Sequence, residues 1–120
     1  MNNQQDTAKK ILTEWGEMKQ ELEGFFRDRD QAKAETKMKQ GISLLIHLLY
    51  ITNGRDDYHH SQPALYPQFM IKPINLEERL EFIRKRPALF HSYRQLSELM
   101  IELEKLFVKQ TIKKSSRTTS

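Results

Sequence analysis

Apolar positions near the start of the chain recur at helical spacing. Ile11, Trp15, Met18, Leu22 and Phe25 fall alternately four and three residues apart, and Leu12 and Phe26 widen the stripe. This pattern predicts an amphipathic helix from Thr7 to Arg27 with Asp6 as its N-cap. Gly16 and Gly24 weaken that helix by about 1 kcal/mol each relative to alanine, and offer places where a neighbouring helix can come close. A charged stretch follows, with a break near Asp30, and Asp28 or Asp30 can cap what comes next. Between Gln40 and Thr52 the apolar residues Ile42, Leu44, Leu45, Ile46, Leu48, Leu49 and Ile51 cover most of a helix circumference. A helix of that kind is buried against more than one neighbour. Gln40, Ser43, His47 and Tyr50 form its thin polar stripe, and Asn53-Gly54 supplies a left-handed stop.

From Arg55 to Ile74 the pattern lapses into a loop punctuated by Pro63, Pro67 and Pro73. Loops this long either pack on the body or carry function, and Ala64, Leu65, Tyr66, Phe69, Met70 and Ile71 favour packing. Helical spacing resumes at Asn75, the N-cap of a capping box closed by Glu78, with Leu76, Leu80 and Ile83 as the apolar face and Phe82 beside it. Pro87 interrupts that helix and is predicted to open the next one, since proline suits a first helical position. The fourth helix then runs from Pro87 to Ile112. Its stripe is Leu89, Tyr93, Leu96, Met100, Leu103 and Phe107, flanked by Phe90, Leu99 and Leu106. The expected architecture is all-α, a four-helix bundle with a long proline-containing loop between helices 2 and 3. Residues 1–114 form its single domain, and 115–120 form a disordered basic tail.

Composition narrows the chemistry. The 120 residues are 38% hydrophobic and 30% charged, and contain no cysteine. Disulfides, thiolate catalysis and Cys-based zinc sites are therefore excluded, and a reducing cytoplasm is the expected setting. The longest apolar run, Ile42 to Ile51, falls far short of the roughly 20 residues that span a bilayer. Met1 to Asp6 is polar, so neither a membrane anchor nor a secretory signal is expected. The formal charge of +4 is unevenly placed. Lys105, Lys109, Lys113, Lys114 and Arg117 follow the last acid, Glu104, and leave 15 basic and 16 acidic side chains before them. The body is nearly neutral, and cations at a helix C-terminus complement its dipole without any ligand.

The second half carries a resemblance. An apolar helix ends in Thr52-Asn53-Gly54, a proline-containing loop follows, and then come Lys72-Pro73-Ile74-Asn75-Leu76-Glu77-Glu78-Arg79-Leu80-Glu81-Phe82-Ile83, Arg86-Pro87 and Phe90-His91-Ser92-Tyr93-Arg94-Gln95-Leu96. Over roughly residues 35 to 110 this resembles the YpoC-like proteins of Bacillus-type bacteria. The resemblance implies a small helical cytoplasmic protein and brings no activity, substrate or cofactor with it.

Candidate chemistry concentrates at the helix 3–helix 4 junction. Arg79, Arg84, Lys85, Arg86, His91 and Arg94 form a basic cluster beside a helix N-terminus, suited to an anionic partner. A solvated face knitted by pairs such as Glu81 with Lys85 competes with that reading. Arg86 and His91, five residues apart, are also similar to the Arg/His motif of HEPN ribonucleases. That resemblance implies His91 as general acid/base and Arg86 as phosphate stabiliser, but Pro87 departs from the motif. Asp56, Asp57, His59 and His60 are metal-capable but lie in a loop, without the Glu-x-x-His pairs of bundle metal sites, so no metal is expected. His47 reads as a half-buried neutral imidazole bonded to Ser43 or Tyr50. Glu14, Glu17 and Glu21 share one solvated helix face. No Gly-rich phosphate loop, nucleophile elbow or dinucleotide fingerprint is present, so no cofactor is expected. The leading expectation is a non-enzymatic binding or adaptor protein, monomer or homodimer, with a protein partner. The alternative is a nucleic-acid-binding or RNA-processing protein using Arg86 and His91.

Overall fold

The computed structural model describes residues 3–59 and 68–119. Among them are four helices and no strand: α1 (Asn3–Arg27), α2 (Gln31–Thr52), α3 (Leu76–Lys85) and α4 (Phe90–Thr119). The body is elongated, 54 × 26 × 24 Å, as helices of this length require.

The α1–α2 connection is two caps fused into one turn. Arg29 takes a left-handed conformation, φ 58°. The N–H of Asp30 reaches back to the Phe25 carbonyl (2.8 Å) and that of Arg29 to Phe26 (3.2 Å), which closes α1 in a Schellman arrangement. Asp30 then caps α2, its side chain accepting from the Lys33 N–H at 3.2 Å. Helix α2 therefore starts well before the apolar run, and the intervening Ala34 and Met38 are buried. At its far end Gly54 (φ 78°) does what Arg29 does for α1, with the Arg55 N–H on the Tyr50 carbonyl at 2.9 Å.

Helices α1 and α2 pack as an antiparallel hairpin, and Lys37 pairs with Glu21 across it at 3.2 Å. Helix α4 runs antiparallel to α1, joining it through Phe26–Phe90 (5.5 Å between ring centroids) and Trp15–Tyr93 (6.4 Å). It runs parallel to α2, because Gly41 faces Leu96 and Asn53 shares a groove with Gln110. Helix α3 lies antiparallel on α4. The centre of α2 is enclosed: Leu48 to Thr52 are five consecutive residues, each at most 5% exposed, so every face of that turn is covered.

Several boundaries differ from those the sequence predicts, each for a local reason. Helix α1 begins at Asn3, so Asp6 is no cap but an acid in the first turn, where the helix dipole favours it. Gly16 and Gly24 are not contact points. The close approach is at Gly41, where a Cβ would lie 2.9 Å from the Trp15 ring and 3.0 Å from Leu96 Cδ2. Tyr50 leaves the polar stripe for the core, edge-on to Phe69 at 4.9 Å. Asn75 does precede α3, but its φ of 57° and ψ of 35° are left-handed, so its side chain makes no cap bond and the capping box with Glu78 does not form. Pro87 does not open α4. Residues 87–89 form a turn, and the helix starts at Phe90, which leaves Leu89 45% and Phe90 50% exposed. The backbone of α4 continues to Thr119, taking in residues assigned by composition to a tail, because no proline or glycine follows Phe107 to stop it.

The connection between α2 and α3 is pinned by one side chain. Asn53 Nδ2 donates to the Leu49 and Ile71 carbonyls, both at 2.8 Å, and Asn53 Oδ1 accepts from the Ile71 N–H at 3.0 Å. Phe69 is buried as expected, whereas Met70 is 94% exposed. Pro63, Ala64, Leu65, Tyr66 and Pro67 lie outside the described residues.

Candidate functional site

The α3–α4 junction is built by a capped stop and an immediate restart. Arg86 ends α3 with its N–H on the Phe82 and Ile83 carbonyls, both at 3.2 Å. Pro87 cannot continue the helix, and the Leu89 N–H closes the turn on the Arg86 carbonyl at 3.2 Å. The Leu89 carbonyl then accepts from Ser92 (2.9 Å) and Tyr93 (3.3 Å) to begin α4. Helix α3 is anchored from below by Leu76, Leu80 and Ile83, each at most 1% exposed.

The six residues singled out from sequence do not form one constellation. Arg79 turns away from the junction and ties α3 to α4. Its Nη1 and Nη2 hold the two Glu102 carboxylate oxygens at 2.9 and 2.6 Å, and Nη1 also reaches the Ile74 carbonyl at 3.1 Å. That pairing holds the Glu102 carboxyl below the ordinary carboxylate range and raises the Arg79 guanidinium. Arg84 and Lys85 are exposed in the last turn of α3, where cations oppose the C-terminal dipole, and Lys85 pairs with Glu81 at 3.3 Å. Arg86 and His91 each pack on Phe82: the guanidinium lies 5.4 Å from its ring centroid, and the His91 ring stands edge-on at 5.4 Å. Arg94, one turn along α4 from His91, is exposed.

What the sequence pattern does not reveal is the apolar half of this surface. Leu89 and Phe90 belong by spacing to the α4 stripe, but the turn over residues 87–89 lifts them half out of the core. Phe90 is held in place nonetheless, against Phe26 and against Tyr93 at 5.6 Å. A second omission is the line Ile101, Val108 and Ile112, between 48% and 60% exposed. Its seven- and four-residue spacing is visible in the sequence, beside the buried stripe.

The other candidates are placed as follows. Asp57 forms an exposed ion pair with Arg55, which holds its carboxyl below the usual range. Asp56 and His59 are exposed, His60 lies outside the described residues, and no group of three metal-capable side chains converges among the described residues. His47 stacks on Tyr58, ring centroids 5.0 Å apart, and burial lowers its pKa against the opposing charge of Glu14.

Four helices, with exposed cations and apolar side chains gathered at one junction, define a small all-α protein. The chain belongs to the YpoC-like family, whose sequence model matches residues 5–115, so that the likeness extends back across α1. It is 34% identical over 99 residues to "Uncharacterized protein YpoC" of Bacillus subtilis (strain 168), an alignment that covers 79% of this chain and 58% of that protein. No solved structure matches it. No described helix is long and apolar enough to cross a membrane.

Proposed function

We propose that this protein is a non-enzymatic adaptor of the bacterial cytoplasm whose α3–α4 junction docks an acidic, partly apolar segment of another protein. The supporting observation is the pairing of half-exposed Leu89 and Phe90 with the exposed cations Arg84, Lys85, Arg86 and Arg94 around one turn. Apolar anchors inside a charged rim are how protein docking sites divide affinity from specificity. Arg79 belongs to the scaffold in this reading, since its guanidinium is committed to Glu102. The test is binding of a fluorescent peptide of alternating glutamate and leucine. Phe90→Ala should weaken it about tenfold or more, as truncation of an anchor does. Charge reversal at Arg84 and Arg86 should slow association and flatten its salt dependence. Peptide binding indifferent to these changes would refute the proposal.

The nucleic-acid reading has its own support, the packing of both Arg86 and His91 on the Phe82 ring. It requires a labelled oligonucleotide to bind with a steep salt dependence. An RNA-processing role requires in addition that His91→Ala abolish any cleavage.

A further inference from the structure

Helix α4 is covered by α1, α2 and α3 on three sides and open on the fourth. Along the open side Ile101, Val108 and Ile112 are 50%, 48% and 60% exposed, with exposed Lys105 between them. Scattered apolar side chains on a surface need no explanation, but a line of them along one helix does.

The charges beside that line are sorted by position. Glu98 flanks its first half, where the neighbouring Glu102 is already taken by Arg79, and Lys109 and Lys113 flank its second half on the same side. A parallel two-fold pairing would put this charged side of each copy on opposite edges of the interface, where its acids and bases do not meet. An antiparallel pairing with Ile101 opposite Ile112 sets Lys105 opposite Val108 and brings Lys113 of one copy beside Glu98 of the other. One surface thus complements itself about a two-fold axis, the property of an isologous interface. We propose that the open face of α4 docks a second copy of this chain, α4 against α4 and antiparallel. The face is narrow, so the dimer is reversible and depends on concentration.

Sedimentation equilibrium up to about 500 µM should show the mass rising from 14.3 kDa toward twice that value. Val108→Asp should weaken association about tenfold or more, with an unchanged circular dichroism spectrum as the control for folding. Glu98→Lys and Lys113→Glu should each weaken it, and the two together should restore it. Because the chain has no cysteine, Ile101→Cys and Ile112→Cys report the register directly. Mixed proteins should cross-link 101 to 112, since like positions stand about 16 Å apart along the axis in this register. A constant monomer mass would overturn the proposal. So would a dimer insensitive to Val108→Asp, self-cross-linking of each variant in preference to the mixture, or binding of the face to anionic vesicles without self-association.

Discussion

Gly41 shows how one missing side chain sets a helix spacing. The Trp15 ring and Leu96 both lie where its Cβ would be, so α1, α2 and α4 converge on that point. Gly41→Ala should destabilise the fold by about 1–3 kcal/mol, as overpacking does, measurable by urea denaturation. At Gly16 nothing lies within 4 Å of an added Cβ. Gly16→Ala should therefore stabilise by about 1 kcal/mol through helix propensity, which makes the pair a controlled comparison. Tyr93 is the second residue whose surroundings have a measurable consequence. Burial, then its hydrogen bond to Glu23 at 2.7 Å, pushes the phenol up to about 12 from 10.0. The folded pKa exceeds the unfolded one, so this contribution is complete below pH 10 and disappears as pH rises through 12. Unfolding midpoints should therefore fall across that window in the parent protein and fall less in Tyr93→Phe.

Among the elements, α3 is tied to α4 in polar terms by the Arg79 side chain, which reaches both Glu102 and, at 3.4 Å, Gln95. The helix is short, and its three core residues are supplemented by the two-pronged grip of Arg79 on Glu102. Glu102→Gln should cost about 1 kcal/mol, solvent at the carboxylate keeping the effect below that of a fully enclosed pair. The sign with pH is opposite to that of Tyr93. The Glu102 pKa is depressed, so its contribution is present above the ordinary 4.5 and is lost as pH falls through the folded value. Acid titration of the unfolding midpoint should separate parent from variant above pH 4.5 and bring them together below it. Most helical content was legible in the sequence because each core stripe repeats at the helical period and Asn53-Gly54 is a strong stop. The junction was less so. Whether Pro87 opens a helix or sits in a turn before it depends on where Phe90 meets Phe26, a contact between residues 64 positions apart in the chain. The cluster of cations was readable as a set of residues but not as a surface, since nothing local says that Arg79 would be withdrawn by Glu102.

At the scale of the molecule, the arrangement of helices follows from how each is connected. The tight turn at Asp30 forces α1 and α2 antiparallel, and the long connection after Asn53 permits α2 and α4 to run parallel, with α3 as the return. The charge of the whole chain proved a poor guide to its surfaces. Its excess of cations lies beyond Glu104, along the half of α4 that the antiparallel pairing would set beside Glu98 of the other copy. The clasp of Asn53 on Ile71 has a further implication. It joins the two ends of the connection, Asn53 and Ile71, while Tyr58 stacked on His47 and Phe69 edge-on to Tyr50 tie the residues just inside those ends to α2. Lengthening a loop closed in this way costs only about 0.6 kcal/mol per doubling. Between Tyr58 and Phe69, therefore, a spliced-in reporter peptide should leave the four helices in their places, with an unchanged circular dichroism spectrum as the check.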